Sequence, residues 1–224
     1  GIHNAVACSR LEIERYFRDW DLPIIDDLGK YLWMTDIEAY QWMYDNLRDK
    51  ANRRILTGSA PGMFSGSKDH VVALRTMHLY IEIPVANSPG GRLFREFLKL
   101  FPPDSPYLGW YPADVHGENM GVRIGSEHAI YTTAYDWSRN LTVYAGFDFE
   151  GFTQDHATEP VDGEILVSFF VFDGDNSQYN VTFMGGRWLD EGRGSVPIGW
   201  SMQPLLADLS PKHLEYFQNT KTEN

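Results

Sequence analysis

The chain has 224 residues, 43% of them hydrophobic and 22% charged, and its 31 acidic and 19 basic residues give a formal net charge of −12. An acidic surface repels phosphate backbones, so the composition argues against nucleic-acid binding, and no apolar run approaches the roughly 20 residues that span a bilayer. The single cysteine, Cys8, excludes an internal disulfide and a multi-cysteine zinc site.

Two capping-box signatures mark helix starts near the N-terminus. Ser9 is followed three residues later by Glu12, and Thr35 is followed by Glu38. In both places apolar residues then recur at helical spacing, which predicts an amphipathic helix.

Short strand-like and helix-like segments alternate along the rest of the chain. The stretch Asp69–Val85 is ambiguous, with a helical pattern first and an extended one after it. The apolar pattern predicts strands over Arg53–Thr57, Tyr107–Trp110, Ala129–Thr133, Leu141–Tyr144 and Val196–Trp200, a helix over Leu93–Phe101, and a helix that begins after Ser210 with Leu214 and Phe217 facing inward.

The most apolar segment is Ile165–Phe172, which reads ILVSFFVF. A continuous apolar run rich in β-branched and aromatic residues is typical of a strand that is buried on both faces. Strands that alternate with helices indicate an α/β fold with a largely parallel sheet. We therefore expect a parallel α/β fold that is either TIM-barrel-like, closed or incomplete, or an open α/β layer.

Polar residues follow this strand directly, as Asp173, Gly174, Asp175 and Asn176. Ligands of parallel α/β folds bind at the carboxyl ends of the strands, so this turn is a candidate site. Gly174 would let the backbone turn sharply between the two carboxylates. The alternative is an Asp-rich turn that caps a helix beginning near Ser177.

The spacing after Asp173 excludes a calcium loop of the EF-hand type, because Gln178 and Met184 occupy the positions that need Gly and Glu. A divalent metal held by Asp173 and Asp175 stays open as an alternative. No glycine-rich phosphate-binding motif accompanies it.

Two further stretches combine aromatic and polar residues. Trp110 precedes a loop with Asp114, His116 and Glu118, a combination that suits sugars because aromatic rings stack on them while acids bind their hydroxyls. Here the alternative is a core tryptophan and a solvated glutamate at a helix start. The second stretch runs from Asp136 to Asn140.

Two sites match the N-glycosylation sequon, which matters only in a host that glycosylates secreted proteins. They begin at Asn140 and Asn180.

The sequence resembles the GxGYxYP putative glycoside hydrolases, and specifically their C-terminal domain. The resemblance covers about half of the chain, and V-S-F-F-V-F-D-G-D-N together with P-I-G-W is its most specific part. The segments that carry it are Leu108–Trp110, Glu118, Ser126, Asp136–Tyr144, Val167–Asn176, Gly194–Pro204 and Leu209–Phe217.

The resemblance implies a barrel-like domain that hydrolyses glycans in a secreted, periplasmic or cell-surface setting, with a carbohydrate substrate and no cofactor. The motif that names the family is absent, although it should follow shortly after the segment ending at Asn224. We therefore expect residues 1–224 to form a single α/β domain that is truncated at its C-terminal end, or a shortened variant.

Glycoside hydrolysis normally needs two carboxyl groups. We expect Asp173, Asp175 and Glu118 to be catalytic, with Asp175 and Glu118 as the preferred pair. The expected sugar-binding residues are Asn176, Trp110, Trp200, Asp136 and Asn140. The alternatives are a non-catalytic carbohydrate-binding module, a metal-dependent transferase or deacetylase that uses the D-x-D pair, and a structural fragment that is inactive without the missing segment.

Overall fold

The structure is a computed structural model of the chain. It describes residues 14–15, 18–21, 23–24, 27–31, 35–112, 117–135, 137–151, 163, 165, 167–174 and 176–222. The predicted helix start at Ser9 lies outside these residues.

Short strands and helices alternate, as the sequence predicts. Two 3₁₀ turns, Arg18–Trp20 and Leu28–Lys30, precede them. The strands are β1 (Leu56–Gly58), β2 (Met77–His78), β3 (Pro106–Gly109), β4 (Tyr131–Thr133), β5 (Phe169–Val171) and β6 (Ile198–Trp200). The helices are α1 (Asp36–Leu47), α2 (Phe64–Leu74), α3 (Pro89–Leu98), α4 (Gly117–Glu127), α5 (Leu141–Tyr144), α6 (Ser177–Val181), α7 (Phe183–Trp188), α8 (Leu206–Leu209) and α9 (Pro211–Asn219).

The first four strands form one parallel sheet with the order β2-β1-β3-β4. Leu56 pairs with Met77 and Thr57 pairs with His78 in the β1–β2 ladder. The mixed α/β class with a parallel sheet is thus confirmed. Because the described strands form an open four-stranded sheet and a separate two-stranded one, the TIM-barrel expectation is not confirmed.

The chain divides into two compact units. Unit 1 comprises Gly1–Ala60, Val71–Tyr107 and Tyr111–Thr132, and unit 2 comprises Pro61–His70, Leu108–Trp110 and Thr133–Asn224. The prediction of one domain over residues 1–224 stays a prediction.

The core of unit 1 is built from the sheet strands and the apolar face of α3. Tyr107 and Tyr111 stack with ring centroids 4.3 Å apart, and Phe94 meets both rings edge-on. The Tyr107 hydroxyl donates to the Leu79 carbonyl at 2.7 Å. Because Tyr107 fills the space above Gly58, a side chain at that glycine would collide with its hydroxyl. Large aromatic side chains thus fix β1 against β3.

The capping box predicted at Thr35 is confirmed. The Thr35 hydroxyl accepts from the Glu38 backbone N–H at 3.3 Å, and the Glu38 carboxylate accepts from the Thr35 N–H at 3.0 Å. These bonds satisfy amide groups that have no partner inside the helix.

Unit 2 has a smaller aromatic core. Trp188 lies 4.9 Å from both Trp200 and Phe217, measured between ring centroids. Met184 is fully buried beside them. The predicted burial of Leu214 and Phe217 on the last helix is confirmed.

The prediction that Ile165–Phe172 is buried on both faces is wrong. The strand covers only Phe169–Val171, and Phe169, Phe170 and Phe172 are 61%, 58% and 76% exposed. Among the described strands, β5 pairs only with β6, in a two-stranded parallel sheet. An apolar sequence indicates that a segment favours burial, but it does not specify how many strands or helices pack against that segment. Here the described neighbours leave both faces of β5 exposed.

The strand predicted over Leu141–Tyr144 is instead a helix, α5. The backbone N–H groups of Tyr144 and Ala145 donate to the carbonyls of Asn140 and Leu141, four residues earlier. Four residues are too few to separate a period of 2 from one of 3.6, so the sequence pattern was ambiguous.

Within the described ranges, no helix is long and apolar enough to cross a bilayer.

Candidate functional site

A shallow pocket in unit 2 brings together residues from the ends of two strands and the start of a helix. Trp110 directly follows β3, Ala134 directly follows β4, and Asn176 immediately precedes α6. The lining residues among the described part of the chain are Trp110, Ala134, Trp137, Asn176 and Gln178. Its volume is about 180 Å³. Strand carboxyl ends are where parallel α/β folds bind ligands, so the pocket lies where the sequence places a site.

Gln178 holds this pocket together. Its Oε1 accepts the Trp137 backbone N–H at 2.7 Å, and its own backbone N–H donates to the Ala134 carbonyl at 3.3 Å. The two bonds tie the beginning of α6 to the segment that follows β4. Trp137 is thereby positioned while its side chain stays 62% exposed. An exposed indole on a fixed backbone offers a flat apolar face to a ligand.

Asn176 is the N-cap of α6. Its Oδ1 accepts from the Tyr179 backbone N–H at 3.0 Å. The alternative interpretation of the D-G-D-N turn, a helix cap, is therefore correct for Asn176, which also lines the pocket.

The turn itself works differently from the expectation. Asp173, not Gly174, adopts the left-handed conformation, with φ of 76°. Gly174 is buried, and a Cβ atom there would lie 2.0 Å from the Ser201 Oγ and 2.3 Å from the Ser201 carbonyl carbon. The glycine is needed because the chain passes close to the segment that follows β6.

Asn180 joins α6 to the same segment after β6. Its Nδ2 donates to the Ser201 carbonyl at 3.3 Å, and its Oδ1 accepts from the Gln203 N–H at 3.0 Å. Asn180 is completely buried. Gln203 in turn donates to the Thr133 hydroxyl at 3.2 Å, at the end of β4.

A buried histidine–tyrosine pair lies one residue from the pocket lining. His70 Nδ1 and the Tyr135 hydroxyl are 2.7 Å apart. Burial lowers the pKa of His70 and raises the pKa of Tyr135, and the carboxylate of Asp69 opposes the first effect and adds to the second. His70 is thus neutral at neutral pH. The hydrogen-bonded pair fixes Tyr135, the chain neighbour of the pocket residue Ala134.

The remaining predicted residues are not among the described lining residues. Trp200 lies half-buried against Trp188 in the core of unit 2. Asn140 is exposed and left-handed, with φ of 57°. Glu118 lies in the first turn of α4, in unit 1. Asp136 and Asp175 lie outside the described residues, as do Asp114 and His116.

The described residues contain no group of three or more His, Cys, Asp or Glu side chains that could hold a metal ion.

The sequence analysis did not identify His78, which lies at the carboxyl end of β2. The Ser59 N–H donates to His78 Nε2 at 3.3 Å, so Nδ1 carries the proton and donates to the Thr57 hydroxyl at 3.2 Å. Burial lowers the pKa of His78 to about 4. Ser59 and His78 are close only because β1 pairs with β2, so no local sequence motif indicates the hydrogen bond between them.

Two domains of one family match the chain. Residues 53–146 match the "GxGYxYP third domain", and residues 163–224 match the "GxGYxYP putative glycoside hydrolase C-terminal domain". Together these ranges cover more than half of the sequence. The chain belongs to the GxGYxYP family, as its sequence predicts.

One solved structure shares the fold. The crystal structure of a "putative hydrolase" from Bacteroides thetaiotaomicron VPI-5482 is similar to this chain with a TM-score of 0.70 and 24% sequence identity. The match covers 82% of this chain but 36% of that one, so the chain spans little more than a third of its length. No protein of curated function matches the chain.

Proposed function

We propose that this chain forms part of a glycoside hydrolase and that the unit 2 pocket binds its glycan. The pocket supports the proposal because it combines two indole side chains, Trp110 and Trp137, with the amides of Asn176 and Gln178. Sugars present apolar ring faces that stack on aromatic rings and hydroxyls that bond to amides. The family name and the similar solved structure, that of a "putative hydrolase", point to the same class of reaction.

Hydrolysis breaks the bond between the anomeric carbon and the glycosidic oxygen, and water supplies the new hydroxyl and the proton for the leaving group. One carboxylic acid donates that proton, and a second carboxylate acts as nucleophile or base. We propose Asp175, Asp173 and Glu118 for these roles. Asp175 is the chain neighbour of the pocket residue Asn176, which supports its choice as one of the pair.

The test is a hydrolysis assay of the full chain against a panel of defined glycans. Asp175→Asn, Asp173→Asn and Glu118→Gln remove one candidate carboxylate each, and Asp208→Asn, an exposed aspartate in α8, is the matched control. We expect Asp175→Asn to reduce turnover at least a hundredfold while glycan binding persists. Turnover that survives all three substitutions would refute the catalytic assignment.

A non-catalytic glycan-binding module is the second candidate. It is favoured by the described lining of the pocket, which consists of aromatic and amide side chains besides Ala134. Glycan binding without turnover, unchanged by Asp173→Asn and Asp175→Asn, would select it. A metal-dependent reaction at these two aspartates would instead be revealed by loss of turnover in chelator.

A secreted, periplasmic or cell-surface location belongs to the same proposal and rests on the family resemblance. Cell fractionation of the native source, with detection by antibody, would test it. Recovery in the cytoplasmic fraction would contradict it.

A further inference from the structure

The two amide side chains of the pocket share a feature that the proposed function does not use. Gln178 accepts the Trp137 backbone N–H, and Asn176 accepts the Tyr179 backbone N–H. A backbone N–H can bond only to the oxygen of an amide, so these bonds fix which end of each side chain is oxygen. Each carbonyl oxygen thus bonds one backbone N–H of the protein and keeps one further lone pair.

The nitrogen ends are left for a ligand. Within the part of the chain that the structure describes, neither Gln178 Nε2 nor Asn176 Nδ2 has a hydrogen-bond partner. Both residues are half-buried and line the same pocket as Trp110 and Trp137. The two amides therefore offer four N–H donors but only two remaining acceptor lone pairs, an excess of donors.

Such a pocket discriminates among the groups that a sugar carries. A hydroxyl has a proton that needs an acceptor of its own, whereas a carbonyl oxygen has two lone pairs and no proton. An acetamido group supplies this oxygen together with a methyl group that packs on an indole. A volume of about 180 Å³ is below the roughly 300–1,000 Å³ of typical ligand pockets, so it suits one substituent or one ring.

A carboxylate would also accept two N–H groups, but charge opposes it. Asp136 and Asp175 are the chain neighbours of Trp137 and Asn176, and the whole chain carries a formal charge of −12. A uronic acid would meet this negative field, whereas an acetamido group is neutral.

Resting on the proposed glycan site, we propose that the unit 2 pocket selects N-acetylated sugars, with the acetamido oxygen accepting from Gln178 Nε2 and Asn176 Nδ2. These two residues then determine specificity without taking part in the chemical step.

Two substitutions test this with the smallest change in shape. Gln178→Glu keeps an oxygen for the Trp137 N–H, and Asn176→Asp keeps an equally good N-cap, but each removes the amide donor. Gln218→Glu makes the same chemical change in α9, away from the described lining of the pocket, and is the matched control. Thermal unfolding verifies that each variant is folded.

Binding is measured by saturation-transfer NMR and calorimetry with β-1,4-linked trimers of N-acetylglucosamine, glucosamine and glucose, and with N-acetylgalactosamine, galactose and an oligouronate. We expect the wild-type chain to bind the acetylated members about tenfold more tightly than their parents. Each variant should lose roughly five- to tenfold in affinity for the acetylated sugars and little for the parents.

Equal affinity for acetylated and parent sugars, or tighter binding of the oligouronate, would overturn the selectivity while leaving the glycan site in place. Unchanged selectivity in folded Gln178→Glu and Asn176→Asp would likewise overturn it. If the wild-type chain bound no glycan in the panel, the proposed function would fail and the selectivity with it.

Discussion

The Nδ1 atom of His70 lies 2.7 Å from the Tyr135 hydroxyl oxygen, and both side chains are almost completely buried. Tyr135 is flanked by Ala134, which lines the pocket, so this hydrogen bond stiffens the segment that presents the site.

Tyr135→Phe removes the hydroxyl and leaves the His70 nitrogen buried without that partner. We expect a loss of about 1–2 kcal/mol in the free energy of unfolding, because an unsatisfied buried polar group keeps its desolvation penalty. Urea denaturation followed by tryptophan fluorescence measures it. Tyr216→Phe, at a 43% exposed tyrosine, is the control and should change stability by less than about 0.5 kcal/mol. Equal effects of the two substitutions would contradict the role of the buried pair.

His78 makes the stability of unit 1 depend on pH. Its pKa is about 4 in the folded protein and about 6.5 in the unfolded chain, so below pH 6.5 the unfolded state binds the extra proton. The contribution of His78 to the free energy of unfolding is therefore constant above about pH 7. It falls between pH 6.5 and pH 4, by about 3 kcal/mol in all.

His78→Gln removes this titration while keeping an acceptor for the Ser59 N–H. We expect the difference in unfolding free energy between wild type and variant to shift steadily in favour of the variant as the pH falls from 6.5. A difference that stays constant over this range would show that folding does not lower the pKa of His78.

The close approach of Gly174 to Ser201 predicts a steep cost for any side chain there. Gly174→Ala places a Cβ about 2 Å from Ser201 atoms, including the backbone carbonyl carbon, so the turn or the neighbouring segment must move. We expect destabilisation of at least about 2 kcal/mol. Gly185→Ala, in α7 with nothing within 4 Å of its Cβ position, should be neutral or stabilising by up to about 1 kcal/mol. Thermal melts of both variants provide the measurement.

Two tryptophans of unit 2 separate binding from stability. Trp137→Ala removes an indole that is 62% exposed and should weaken glycan binding by tenfold or more with little change in melting temperature. Trp188→Ala removes one that is 4% exposed and should cost about 3–5 kcal/mol of stability. Calorimetric titration and thermal denaturation of the same two proteins distinguish these outcomes. Unaltered glycan affinity in Trp137→Ala would remove the pocket from the binding site.

The sequence correctly predicted features that depend on residues close together in the chain. The capping box at Thr35 and the apolar stripe of α3 depend on residues within one or two helical turns, and both elements formed as predicted. Trp110 and Asn176, which the sequence singles out because each directly follows or closes the polar end of an apolar run, both line the pocket.

The sequence could not predict features that depend on contacts between residues far apart in the chain. Gln178 reads as an ordinary helix residue, and its importance arises only because the fold brings Trp137, 41 positions earlier, within hydrogen-bonding distance. The exposure of β5 likewise depends on how many strands pair beside it. No window of the sequence contains that information.

The burial of Asn180 has a practical consequence for producing this protein. Of the two glycosylation sequons, the one at Asn140 is on the surface, whereas both polar atoms of the Asn180 side chain are bonded to the segment after β6. A eukaryotic secretion host that modified Asn180 during synthesis would attach a bulky oligosaccharide to a nitrogen that the folded chain needs. Such molecules could not close the junction between α6 and β6, so material from that host would be a mixture of folding-competent and folding-defective chains. Expression in a host without N-glycosylation, or an Asn180 sequon disabled by Thr182→Ala, avoids the problem.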